Sequence, residues 1–99
     1  MNPKQMVRQM QEMQEKMVRE LDAMRIEGSA GGGIVTATVN GQKDLIAVRI
    51  SKEAITPDDP EMLQDLIVAA VSEAARKAGE VQQEKLLGLT GGLKIPGLF

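Results

Sequence analysis

The sequence predicts an α+β fold: a long N-terminal helix, a three-stranded antiparallel sheet and a long C-terminal helix, in the order αβββα. Three observations carry this. Apolar residues recur at helical spacing towards both ends of the chain. Between them, two runs rich in β-branched residues flank Asn40-Gly41, a dipeptide suited to a tight hairpin turn because both residues tolerate positive φ. A third alternating segment, Met24 to Gly28, precedes three consecutive glycines at 31–33.

The first helix is expected over residues 3–24. Asn2 is a suitable cap, and Pro3 is tolerated in a first turn. Met6, Met10, Met13, Met17, Leu21 and Met24 follow one another at intervals of three or four, which places them on one stripe. Such a stripe reads as a packing or dimer seam rather than a cofactor or metal site. Lys4, Arg8 and Arg19 fall on the opposite side, interleaved with Glu15 and Asp22, and Lys16 belongs to the same helix. Ordinary solvation accounts for this charged face as well as a binding role does.

Residues 25–30 read as a further strand, and the glycines at 31–33 let the chain bend into the hairpin. Their spacing matches neither the P-loop nor the dinucleotide fingerprint, and a strand follows rather than a helix N-terminus. A two-residue turn at Asn40-Gly41 sets Val39 opposite Gln42 and Val35 opposite Ile46. Val35, Ala37, Val39, Ile46, Val48 and Ile50 then share one face; Ile34, Thr36, Thr38, Leu45, Ala47 and Arg49 share the other. A lone hairpin is marginal in water, so the flanking helices must cover it.

Residues 51–60 form a connector. Asp59 is a good N-cap, Pro60 a good first helical residue, and Glu61 and Asp65 suit the helix dipole. Capping explains the carboxylates Asp58, Asp59, Glu61 and Asp65 more simply than a bound cation does. The second helix is expected from Pro60 to Leu87, with Leu63, Leu66, Ile67, Ala70, Val71, Ala74, Ala78 and Val81 on its inner stripe. The small residues Ala69, Ala70, Ala74, Ala75 and Ala78 let it lie close to the sheet. Gly88 is read as its C-terminal cap. Residues 1–88 then make one domain and 89–99 a flexible tail with an apolar end (Leu93, Ile95, Leu98, Phe99).

With 99 residues the chain is one small domain, and a chain of this size gains from oligomerisation. Its single aromatic residue, Phe99, leaves the core to aliphatic side chains. No signal sequence and no membrane-length apolar run is visible, and the absence of Cys suits a reducing compartment, so a cytoplasmic location is expected. There is no His and no Cys, and Ser29, Ser51 and Ser72 have no base to activate them. The expectation is a protein that is not an enzyme, with no cofactor, no metal and no small-molecule substrate. The net charge of −2 gives no global attraction to nucleic acid, so polyanion binding has to come from local patches.

Lengths add a further expectation. The two helices span about 33 and 42 Å at the usual rise per residue. Strands of six or seven residues span only about 20–23 Å. Each helix therefore overhangs the sheet, and the overhangs, Met6 to Met13 on one helix and Val81 to Leu87 on the other, still carry apolar residues. This predicts a homodimer with projecting helical arms. Met6, Met10, Met13, Met17, Ile34, Val81 and Leu86 are its candidate core and dimer residues. The arms carry Lys4, Arg8, Lys16 and Arg19, with Arg76, Lys77 and Lys85 on the second helix. A helix fits the major groove of duplex DNA, about 12 Å wide, whereas the aromatic residues that stack on single strands are missing. Acidic residues on the same helices oppose polyanion binding.

Several motifs are also familiar in combination. Gln11-Glu12-Met13-Gln14-Glu15-Lys16-Met17, Gly31-Gly32-Gly33-Ile34-Val35 leading to Val39-Asn40-Gly41, the run from Asp59 to Ala70, and the tail Leu89-Thr90-Gly91-Gly92-Leu93 with Ile95-Pro96-Gly97 follow one another along nearly the whole chain. In this the sequence resembles the YbaB/EbfC family of bacterial nucleoid-associated proteins. It differs at Ser72, where members often carry Asn, and lacks the glycine-rich N-terminal lead-in seen in some members. The resemblance implies a tweezer-like homodimer that binds double-stranded DNA, associates with the nucleoid and affects gene expression. The family's DNA surface is assigned to its helical arms, which carries over here to Lys4, Arg8, Lys16 and Arg19, and to Arg76, Lys77 and Lys85. The competing reading is an adaptor that grips a partner protein through its Met-rich helix or apolar tail.

Overall fold

The computed structural model describes residues 2–89. The elements run α1 (Pro3–Ala23), β1 (Ile26–Ala30), β2 (Val35–Val39), β3 (Leu45–Ile50), a 3-10 turn at Lys52–Ala54, and α2 (Pro60–Leu89). The expected order of helix, three strands and helix is therefore present.

α1 begins at a capping box: Asn2 Oδ1 accepts the Gln5 backbone N–H at 2.8 Å, and the Gln5 side chain accepts the Asn2 N–H at 3.4 Å. It ends where Met24 turns extended. The Arg25 guanidinium donates to the carbonyls of Asp22 and Met24 at 2.9 and 2.7 Å, which satisfies acceptors the helix end leaves open. At α2, Asp59 Oδ1 accepts the Met62 N–H at 3.1 Å, as its capping position implies.

The strands form one antiparallel sheet with β2 in the centre. Gly31, Gly32 and Gly33 all take positive φ (64, 74 and 98°) and make the β1–β2 turn. α2 lies across β1 and β2 but not across β3. Ala70, Ala74 and Ala78, one helical repeat apart, are fully buried against Val35, Ala37 and Val39. Gly28 explains how close the layers come. A Cβ at that position would stand 2.3 Å from the Ala74 nitrogen and 2.5 Å from the Ala70 oxygen, so the β1 backbone rests directly on the helix backbone. Of the other small residues expected here, Ala75 is half-buried and Ala69 faces solvent.

The hairpin register differs from the one the sequence suggests. Val35 pairs with Ile50, not Ile46; Ala37 pairs with Val48; and after an irregularity at Thr38/Val39, Val39 pairs with Leu45. The turn is not the two-residue type because neither Asn40 nor Gly41 takes positive φ; among the described non-glycine residues only Lys43 does, at 69°. Asn40 is instead buried and organises a longer loop. Its Oδ1 accepts the N–H groups of Gln42 (2.9 Å) and Asp44 (3.0 Å). The slide of four residues keeps Val48 and Ile50 on the expected face, while the irregularity moves Leu45 onto it in place of Ile46.

Two further boundaries change. Gly88 lies inside α2 rather than capping it, since the helix runs on to Leu89. Of the tail expected over 89–99, residues 90–99 lie outside the described residues.

The core is small. Among the described residues the largest fully buried side chains are Val35 and Val39, while Leu45, Ile46, Ile50 and Ile55 on and after β3 remain exposed. α1 buries no residue at all. A chain with this distribution leaves unusually much apolar surface exposed.

Candidate nucleic-acid interface

The cations expected to contact DNA divide into two groups. On α2, each one is already engaged. Arg76 Nη1 lies 2.6 Å from Glu80 Oε1, and Lys77 Nζ lies 3.1 Å from Glu73 Oε1 while also donating to the Glu27 carbonyl at 3.0 Å. Lys85 Nζ meets Glu20 Oε2 at 2.9 Å and ties α2 to the last turns of α1. Lys77 and Lys85 leave their mark on their partners. The Lys85 hydrogen bond and charge hold the Glu20 carboxyl below its ordinary value, aided by Lys16 and Arg19. The Lys77 hydrogen bond and charge do the same for Glu73, helped by the Ser29 backbone N–H.

On α1 the situation is reversed. Lys4, Arg8, Lys16 and Arg19 are exposed, and no hydrogen bond or ion pair engages them among the described residues. Lys4, Arg8 and Arg19 lie within roughly 60° of one another around the helix axis at 100° per residue, with Arg8 and Arg19 about 16 Å apart along it. Glu12 and Glu15 share this flank, so the whole helix is electrically balanced. The first part is not: Pro3 to Gln11 contains Lys4 and Arg8 and no carboxylate. The tip is therefore a local cationic patch on a chain of net charge −2.

The apolar candidates also separate. Met6, Met10, Met13 and Leu86 are exposed, whereas Ile34 is half-buried and packs against the core. Met17 and Val81 are half-buried and line an open groove of about 460 Å³ with Met24, Glu20, Glu84, Lys85 and Gly88. Across that groove Lys85 of α2 meets Glu20 of α1. The contact between the two helices is made by the last turns of α1, and the overhang from Met6 to Met13 remains exposed.

The contacts of three residues escaped the sequence reading. Gly28 and Gly41 lie where backbone approaches backbone or a neighbouring side chain; small residues opposite the Ala70-Ala74-Ala78 series were the available signal for Gly28. Lys43 is a further cation without an ion pair, at the root of α1, with its side chain over Gly79. Nothing in its local sequence distinguishes it. Among the described residues no group of acidic or other ligating side chains is arranged to hold a metal ion, and no helix is long and apolar enough to cross a membrane.

Comparison with known proteins bears on family and fold. A family model described as the YbaB/EbfC DNA-binding family matches residues 1–93. A nucleoid-associated protein of Clostridium perfringens is 55% identical over 80 residues, which cover 81% of this chain and 71% of that one. One from Chloroflexus aurantiacus is 47% identical over 95 residues, covering 96% and 93%, and one from Pelotomaculum thermopropionicum is 46% identical over 101 residues, covering 99% and 96%. The crystal structure of the uncharacterised protein HP0035 from Helicobacter pylori superposes with a TM-score of 0.76 at 17% identity, over 91% of this chain and 98% of that one, which supports the αβββα fold. From the helical order, the sheet and these matches together, the chain belongs to the YbaB/EbfC DNA-binding family.

Proposed function

We propose that this protein is a nucleoid-associated protein that binds double-stranded DNA as a homodimer, with the α1 arms as the contacting elements. The observation that carries the reading is the set of unengaged cations on α1, Lys4, Arg8, Lys16 and Arg19, beside the engaged ones on α2. Phosphate contacts of this kind position a protein on duplex DNA without reading its sequence, so binding is weakly sequence-selective. Arg76, Lys77 and Lys85 act mainly as structural ion-pair partners. Two arms on one dimer affect DNA conformation, nucleoid organisation and, through them, gene expression.

The homodimer is supported by the small core and by β3, whose Leu45, Ile46 and Ile50 are exposed on a free strand edge. An uncovered apolar edge of this kind invites pairing with another copy. The Met6, Met10 and Met13 stripe forms part of the same joining surface.

Replacing Arg8 and Arg19 together with Glu abolishes duplex binding while the circular dichroism of the fold is kept. Retained affinity in that variant moves the site elsewhere. The exposed Met stripe also suits an adaptor that grips a protein partner. Pull-down with and without nuclease separates the two, since partners lost with nuclease were held through DNA.

A further inference from the structure

The loop from Asn40 to Asp44 joins two strands, but its contacts lie elsewhere. Within the subunit α1 meets the body only through its last turns: Met17, Glu20 and Leu21 are its only residues withdrawn from solvent even to half-burial. At this root the Gly41 N–H donates to the Leu21 carbonyl at 2.8 Å, and the Gly41 carbonyl accepts from Gln82 Nε2 at 2.8 Å. One residue thus spends its N–H on α1 and its C=O on α2. The neighbouring Gln42 side chain donates to the Asp22 carboxylate, and Lys85 of α2 reaches Glu20.

Gly41 is buried, and a Cβ there would stand 2.7 Å from Leu21 Cδ2, 3.0 Å from the Leu21 carbonyl oxygen and 3.1 Å from its Cα. The loop that presents it is pinned by Asn40, 5% exposed, whose side chain accepts two loop N–H groups.

We propose that this loop is the bearing of the arm: Gly41 is a positioning residue that fixes the angle of α1, and with it the placement of Lys4 and Arg8 on DNA. The proposal rests on the DNA-binding reading above. Leverage makes the angle matter. Lys4 stands 17 residues from Leu21, about 26 Å along the helix. A tilt of about 10° at the root moves it by roughly 4–5 Å, more than the axial rise of the duplex from one phosphate to the next on the same strand, about 3.4 Å. Whatever the Met stripe meets in a dimer, its direction is set at the same point.

The chain has no Cys, so spin labels placed through Gln9→Cys on α1 and Ser72→Cys on α2 report the arm angle directly. Labelled protein is diluted with unlabelled protein, so that a dimer carries one labelled chain. Gly41→Ala is expected to shift or broaden the distance distribution and, through lost preorganisation, to weaken binding to a short duplex by about fivefold. Gln82→Ala, which removes only the second anchor, is expected to broaden the same distribution and covers the case in which Gly41→Ala fails to fold. An unchanged distribution in the folded variants overturns the bearing. A changed distribution with unchanged affinity overturns its role in placing the arm on DNA. Wild-type protein that fails to bind duplex overturns the DNA reading alone, because the distance measurement stands without it.

Discussion

The two helices use their length in opposite ways. α2, with 30 residues, presses a series of alanines onto two strands and neutralises its own cations. It carries Arg76, Lys77 and Lys85 against Glu61, Asp65, Glu73, Glu80 and Glu84, a net −2. α1, with 21 residues, buries none of them, balances four cations against four carboxylates, and leaves its tip positive. The comparison teaches that the availability of a charge depends on its neighbours in three dimensions. Seven cations on two helices read alike in the sequence, and four of them remain free to meet a phosphate.

The sharpest way to break the contrast is at the seat of α2. Gly28→Ala drives a methyl group into the backbone of Ala70 and Ala74, and is expected to cost about 3 kcal/mol or more in urea unfolding. Tolerance of that change means that the helix is not seated as described. Exposed sites on α1 such as Gln9→Ala are expected to stay within about 0.5 kcal/mol of the parent.

Next in size is the joining surface. Ile46 is exposed on the edge strand, so Ile46→Lys leaves the subunit folded and, by placing a charge on the proposed interface, shifts sedimentation from dimer to monomer. An unaltered dimer in that variant excludes β3 from the contact.

The smallest effect concerns the two carboxylates held low by lysine, Glu20 and Glu73. A folded-state value below the unfolded one gives stability that is complete above the ordinary glutamate value of 4.5 and is lost as pH falls through the lowered folded value. Stability from these pairs is therefore flat around neutrality and declines in acid below that point. Glu20→Gln is expected to blunt the decline; a fall beginning near pH 7 assigns the pH dependence to other groups.

Much of this was legible in the sequence, for reasons that can be stated. Capping at Asn2 and Asp59 is local chemistry, and each cap forms the expected side-chain to backbone hydrogen bond. The alanine series announces a close helix–sheet approach because only small residues permit it. The hairpin register was misread because Asn40-Gly41 has two uses. A tight turn needs positive φ at both residues, whereas here Asn40 organises the loop with its side chain and Gly41 is required by its contact with Leu21, twenty residues away in helix α1 and invisible to local pattern. The site was legible as a list of cations but not as a division. Pairing of Lys85 with Glu20 depends on how two helices cross, and the self-pairing of Arg76 and Lys77 competes with solvent in a way that spacing alone does not decide.

The most direct test of the central claim is the salt dependence of duplex binding by two neutralised variants, Arg8→Gln/Arg19→Gln and Arg76→Gln/Lys77→Gln. Each phosphate contact contributes roughly −0.9 to the slope of log affinity against log salt. The α1 variant is expected to bind more weakly and, with two arginines lost from each of two arms, to flatten that slope by about 3.6 per dimer, while the α2 variant keeps the parental slope. Equal losses in the two variants, or a loss confined to the α2 variant, would contradict the assignment of DNA contact to the α1 arm.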